Sequence, residues 1–280
     1  MTVRREEGRG GEPAPPAAVR RVTVHDVAAA RTRGRPLSMV TAYDWPTARL
    51  AEESGVDCVL VGDSVAMVVA GRDSTIPATL RQMIYHGEIV ARAVARAMVI
   101  VDLPFPLQHL GVRPAIRAAA RILKETGCQG VKLEGTAGQA DVIAGLVAAG
   151  IPVMGHVGLR PQAVHQLGGY RMQRDGERLL ADATAAAAAG AFAVVLECIP
   201  RQVAAAITAA IPVPTIGIGS GPDCGGQVLV MHDLVGLSSG RVPRFVRRYA
   251  DAAGTIAMAL SAWKADVEAR TFPGEAETLG

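Results

Sequence analysis

The sequence predicts a single (β/α)8 barrel, and three observations carry that prediction. Short, nearly all-apolar runs rich in β-branched residues alternate with Ala-rich stretches long enough to be helices. There are eight such runs. The alternation begins near Val22 in a chain of 280 residues, close to the roughly 250 that a barrel of this kind takes. Runs of four or five residues without polar alternation are what parallel strands buried on both faces require. A doubly wound open sheet is the alternative, but the first run is not followed by GxGxxG.

In chain order, the expected strands are 39–42, 58–62, 98–101, 130–133, 153–155, 193–196, 215–218 and 227–230. The helices expected between them are 45–53, 79–97, 114–125, 139–149, 178–189 and 202–210, with a further helix and a tail at the C-terminus. Thr79 followed three residues later by Gln82 has the spacing of a capping box, which would start the second helix sharply. Gly55, Gly127, Gly150 and Gly190 fall where helices must stop before the next strand. Residues 1–21 are rich in Arg, Glu, Gly and Pro and lack an apolar segment, so they read as a disordered tail rather than a signal peptide. The remainder, 22–280, reads as one catalytic domain.

Composition excludes several classes. Lys and Arg number 29 against 26 Asp and Glu, a formal charge of +3, and no clustered basic face of the kind needed to hold nucleic-acid phosphates is evident. The two long uncharged stretches, 142–159 and 203–222, are interrupted by Gly and Pro, so neither reads as a membrane span. Cys58, Cys128, Cys198 and Cys224 lie far apart, with no CxxC pair. They read as reduced, buried thiols of a cytosolic protein.

Barrel chemistry is mounted at the C-terminal ends of strands. Those places hold Asp44, Asp63 with Ser64, Asp102, Lys132 with Glu134, His156 and Glu197. Any single Asp after a strand is an ordinary helix cap, but independent caps have no reason to converge on one mouth. Asp63, Asp102 and Glu134 would repel one another unless a cation sat among them, and hard oxygen donors with no Cys or His pair at ligand spacing suit Mg²⁺. A Lys132 salt bridge to Asp102 or Glu134 is the competing reading.

Several motifs carry a resemblance. They are Thr41-Ala42-Tyr43-Asp44, Leu60-Val61-Gly62-Asp63-Ser64, Asp73-Ser74-Thr75-Ile76-Pro77, Asp102-Leu103-Pro104-Phe105, Val131-Lys132-Leu133-Glu134-Gly135, Gly155-His156-Val157-Gly158-Leu159, QLGGYRMQ over 166–173, and Leu196-Glu197-Cys198-Ile199-Pro200. In this order the chain resembles the ketopantoate hydroxymethyltransferase family from about residue 22 to 274. The resemblance implies a barrel of the phosphoenolpyruvate mutase/isocitrate lyase type, in a cytoplasmic homo-oligomer that is commonly a decamer in the family. It also implies hydroxymethyl transfer from 5,10-methylenetetrahydrofolate to 3-methyl-2-oxobutanoate, giving 2-dehydropantoate for pantothenate and coenzyme A.

Carried over by motif, the resemblance makes Asp63 and Asp102 ligands of Mg²⁺, with Glu134 completing the metal environment directly or through water. Asp63, Ser64, Asp102 and Lys132 would bind the keto acid, and Glu197 would take the proton from the carbon beside the ketone. The metal would stabilise the resulting enolate. Desolvation at the end of an apolar strand should make Glu197 more basic. His156 belongs to the same mouth as a substrate contact, a polariser of the carbonyl or a hydrogen-bond partner.

The chain departs from the family's usual pattern at 106–113, just after Gln173 where it is shorter, and at Ala66, Ser220 and Gly225. The loop holding Gly225 is expected near the folate or a neighbouring subunit. A Mg²⁺-dependent C–C lyase or mutase acting on a related 2-oxo acid is the alternative activity. A non-enzymatic scaffold would be expected to have lost Asp63, Asp102, Lys132 or Glu197, and all four are present.

Overall fold

The computed structural model describes residues 19–238, 240 and 242–279. Eight parallel strands close into a barrel in sequence order, each bonded to the next and β8 back to β1. The elements run α1 (Val24–Arg33), β1 (Leu37–Thr41), α2 (Trp45–Glu53), β2 (Cys58–Val61), α3 (Val65–Val68), α4 (Leu80–Ala93), β3 (Met98–Asp102), α5 (Val112–Thr126), β4 (Gly130–Glu134), α6 (Ala140–Ala148), β5 (Val153–Gly158), α7 (Gly176–Ala188), β6 (Ala193–Glu197), α8 (Arg201–Ala210), β7 (Thr215–Ile218), β8 (Gly226–Leu229), α9 (Met231–Leu234) and α10 (Ala252–Glu268).

All eight expected strands are present. Their alternate residues face opposite ways. Met39, Leu60, Met98, Ile100, Met154, Val195, Ile216 and Val228 pack together inside the barrel, while Val59, Val99, Val131, Val153 and Leu196 pack outward against the helices. The sequence reading did not assign α1. Its Thr23/Asp26 capping box starts it, and it presses Val27 and Ala30 against the inner cluster. This plugs the end of the barrel where the strands begin.

The expected capping box at Thr79 is present, and Gly55, Gly127, Gly150 and Gly190 all adopt positive φ. Helix α4 ends at Ala93 rather than 97. The carboxylate of Glu52 accepts the backbone N–H groups of Arg96 (2.6 Å) and Ala97 (3.0 Å), which draws the chain out of the helix toward β3. Of the expected disordered tail, 1–18 lie outside the described residues. Arg20 already pairs with Asp26, and Arg21 bonds the carbonyls of Val94 and Ala97, so the bonded chain starts before Val22. Gly225 lies away from the candidate site. It immediately precedes β8, and its carbonyl accepts the N–H of Leu37 at the start of β1, so it lies at the end of the barrel opposite the mouth.

No residue of α10 is buried, and Ile256, Met258, Leu260 and Trp263 are exposed along it. Among the described residues, no helix is long and apolar enough to cross a membrane. The four cysteines are free, with Cys58, Cys128 and Cys224 buried.

Candidate active site

The inward-facing stripe that is apolar at the bottom of the barrel turns ionisable at the top. After Met98 and Ile100 the next inward position on β3 is Asp102. On β4 the inward positions are Lys132 and Glu134, on β5 His156 follows Met154, and on β6 Glu197 follows Val195. Five of the expected residues are thus strand residues rather than loop residues, since β3, β4 and β6 end on Asp102, Glu134 and Glu197, β4 contains Lys132, and β5 runs past His156 to Gly158. Ladder register sets Asp102 beside Lys132 and Glu134 beside His156. Asp63 and Ser64 follow β2 in the turn that opens α3. Asp44, by contrast, takes the bland role: its carboxylate caps α2, accepting the N–H of Thr47 at 2.8 Å.

The cluster is tightly connected. Lys132 Nζ lies 3.0 Å from Asp102 Oδ1 and 3.3 Å from His156 Nδ1. Asp102 Oδ2 accepts the backbone N–H of Asp63 at 3.0 Å. The other ring nitrogen of His156 is 3.3 Å from Glu197 Oε2, and Glu134 Oε1 is 4.0 Å from His156 Nδ1. Asp63, Asp102, Lys132, Glu134 and His156 are all buried. Glu197 keeps 16 % of its side-chain surface open, so the desolvation expected from its apolar strand is incomplete, and among the described residues no arginine pairs with it. Its backbone carbonyl approaches Gly158 so closely that a Cβ there would collide with it.

Burial, followed by the charge of Asp102, raises the carboxyl of Asp63 to about 7. Burial and then Asp63 lift Glu134 well above the carboxylate range. Burial alone would depress Lys132, but Asp102, Glu134 and Asp63 together outweigh it and hold the ammonium charged. Burial, then Lys132, lowers His156. The salt bridge of Lys132 to Asp102, the reading that competed with a cation, is therefore present, and it leaves the other carboxylates short of positive charge.

Two polar residues complete the mouth that a search for ionisable groups passes over. Tyr43, inside the first quoted motif, is fully buried and shares a 2.7 Å hydrogen bond with Ser64 Oγ. Gln162, in the turn Pro161–Ala163 after β5, donates from Nε2 to Asp63 Oδ2 at 2.7 Å, and its backbone N–H donates to Glu134 Oε2 at 3.0 Å. The only signal for Gln162 was an uncharged amide just beyond a strand end.

Among the described residues, no three His, Cys, Asp or Glu side chains converge into a ready-made metal cage. The site offers the donor set that suits Mg²⁺, one or two carboxylates with the remaining positions left to water and substrate. Asp102 Oδ1 is buried and faces the ammonium of Lys132 at 3.0 Å, while its Oδ2 accepts the backbone N–H of Asp63, which places the two carboxylates side by side. Glu134 stands back, engaged by Gln162.

The model of the ketopantoate hydroxymethyltransferase family matches residues 21–275. The chain belongs to the ketopantoate hydroxymethyltransferase family. It is a transferase of that family. The 3-methyl-2-oxobutanoate hydroxymethyltransferase of Rhodopirellula baltica is 55% identical over 259 residues, 92% of this chain and 96% of the relative. The enzyme of the same name from Carboxydothermus hydrogenoformans is 49% identical over 259 residues, 91% and 94% of the two chains.

Solved structures extend the fold relationship. A phosphoenolpyruvate phosphomutase from Streptomyces platensis superposes with a TM-score of 0.61 at 16% identity over 92% of both chains. A 2,3-dimethylmalate lyase of the PEP mutase/isocitrate lyase superfamily gives 0.58 at 16% identity, over 92% of this chain and 91% of the other. At these identities the likeness is one of fold.

Proposed function

We propose that this family member transfers a hydroxymethyl unit from 5,10-methylenetetrahydrofolate to 3-methyl-2-oxobutanoate, giving 2-dehydropantoate on the route to pantothenate and coenzyme A. The observation that carries the reading is one connected cluster in which the buried Lys132–Asp102 pair is linked through His156 to the partly open carboxylate of Glu197. A carbon acid beside a ketone needs charge stabilisation on the oxygen side and a positioned base on the carbon side. The cluster offers both.

In this reading, Lys132 holds the substrate carboxylate with its ammonium and Ser64, braced by Tyr43, donates its hydroxyl to the keto acid. Glu197 takes the C3 proton. His156 stands with Nε2 3.3 Å from Glu197 Oε2 and so steers the base. Asp63 and Asp102 would hold Mg²⁺, with Glu134 engaged through water, and the bound ion would supply positive charge to the adjacent carboxylate and keto oxygens of the substrate. A phosphonopyruvate hydrolase of the same barrel type (TM-score 0.58, 13% identity, covering 92% of both chains) was solved with oxalate and Mg²⁺.

The chain acts on small molecules in the cytoplasm as a homo-oligomer. The uncovered apolar residues of α10 support the last point, because an apolar helix face on a protein of this kind is ordinarily covered. Light scattering of the purified chain checks it. The activity is tested by incubating the protein with 3-methyl-2-oxobutanoate, methylenetetrahydrofolate and Mg²⁺ and identifying the product by mass. Pyruvate release without a one-carbon donor would replace this reading with a lyase.

A further inference from the structure

Two short turns meet over the mouth. The turn Leu107–His109 after β3 carries Gln108, and the turn Pro161–Ala163 after β5 carries Gln162. Both side chains are buried. The amide of Gln162 is fully used: its two N–H groups go to Asp63 Oδ2 (2.7 Å) and to the carbonyl of Leu103 (3.0 Å), and its Oε1 accepts from Nε2 of Gln108. Its backbone N–H holds Glu134.

A primary amide can turn over at little intrinsic cost, exchanging donor for acceptor. Turned over, Gln162 would set its oxygen against Asp63 Oδ2 and the Leu103 carbonyl, three acceptors facing one another. Asp63 Oδ2 and the Leu103 carbonyl thus orient the amide, and Gln108 adds a third bond by donating to the Oε1 that this orientation presents, its own Oε1 being buried without a partner. The orientation of one amide therefore decides whether Asp63 is held by a donor or pushed away, and a residue of the 106–113 loop supports that orientation.

We propose that Gln162 is a positioning residue that holds the Asp63 and Glu134 carboxylates for a divalent cation, and that Gln108 acts through it, so that the loop after β3 tunes the cation affinity of the site. The proposal rests on the cation reading given above. Groups that orient a ligand from behind are typically worth about 10- to 100-fold in affinity. Glu134 is gripped by backbone and stays held in any Gln162 variant, so the effect passes through Asp63.

The test is direct Mn²⁺ binding to the whole chain without keto acid, followed by paramagnetic resonance of the free ion. Gln162→Leu should weaken binding by about 10- to 100-fold, and Gln108→Leu should weaken it in the same direction by a smaller factor. The double variant should bind as Gln162→Leu does, since residues acting in series are not additive. Thermal melts establish folding, and Met at either position gives the same readings should a Leu variant not fold.

An unchanged affinity in Gln162→Leu overturns the proposal. So does a Gln108→Leu effect that persists undiminished in the Gln162→Leu background, because the loop would then act by another route. If the unaltered chain takes up no Mn²⁺, the cation reading fails and this proposal fails with it, an outcome distinguishable from the other two.

Discussion

His156 sits between two charges, with Nδ1 3.3 Å from the ammonium of Lys132 and Nε2 3.3 Å from Glu197 Oε2. An ammonium only donates, so Nδ1 is the acceptor and the ring proton rides on Nε2, facing the carboxylate. Burial and Lys132 both lower the pKa of the ring, so the neutral form is the resting one. His156→Leu should remove the polar group that faces Glu197 and lower kcat by roughly 10- to 100-fold, with His156→Gln retaining more activity. Steady-state kinetics of the two variants check this, and an unchanged kcat in the leucine variant would reduce His156 to packing.

The acidic pair makes a prediction of opposite sign for stability and activity. Burial and Asp102 raise Asp63 above its unfolded value, so its proton contributes native stability at low pH that is lost as pH rises through about 7. Asp63→Asn, which needs no proton and can still accept from Gln162, should raise the melting temperature of the cation-free protein above that pH. It should also abolish most Mg²⁺-dependent turnover. Cation affinity of the unaltered chain should strengthen as pH rises through about 7, because binding below it displaces a proton. Calorimetry in buffers of different ionisation heat measures that release.

Gly158 tests how the base is held. It adopts φ 103 and lies against the backbone carbonyl of Glu197, and the N–H of Leu159 bonds that carbonyl at 2.9 Å. Gly158→Ala should cost at least about 1–2 kcal/mol from the backbone conformation alone and displace Glu197, lowering kcat more than it raises KM. Urea unfolding and kinetics on the same sample separate the two effects.

Far from the mouth, Asp57 ties the barrel floor. Its buried carboxylate accepts the backbone N–H of Ser38 at 2.9 Å and pairs with Arg35 and Arg96. Burial pushes its pKa up, but these donors outweigh burial and leave it lowered. Its contribution is therefore present above the unfolded pKa and lost as pH falls through the folded one. Asp57→Ala should cost about 1–3 kcal/mol near neutral pH by orphaning the Ser38 donor, with the gap to wild type narrowing in acid. Denaturant titrations across pH measure it.

The strands were legible because each is an apolar run bounded by polar residues, and the site was legible because an ionisable group at the end of such a run has few other reasons to be there. Asp102, Lys132, Glu134 and Glu197 all announced themselves this way. β5 was read three residues short, ending at Gly155, because His156 and Gly158 resemble a break, although both pair in the ladder. Helix α1 was missed because only Val27 and Ala30 are buried along it. Gln108 and Gln162 carry no charge and no periodicity, and only the closing of the barrel brings turns after β3 and β5 together. The uncovered face of α10 belongs to a surface that one chain's pattern does not explain.

The account depends most on Glu197 as the base, and proton exchange reads that step alone. With Mg²⁺ and no folate, the protein in deuterium oxide should exchange the C3 proton of 3-methyl-2-oxobutanoate, followed by proton resonance. Glu197→Gln should bind the keto acid as before while exchange falls by about 10²- to 10⁴-fold, the usual worth of a general base. Lys132→Ala should instead weaken keto-acid binding. Exchange per bound complex that is unchanged in Glu197→Gln would contradict the assignment and move the base elsewhere in the mouth.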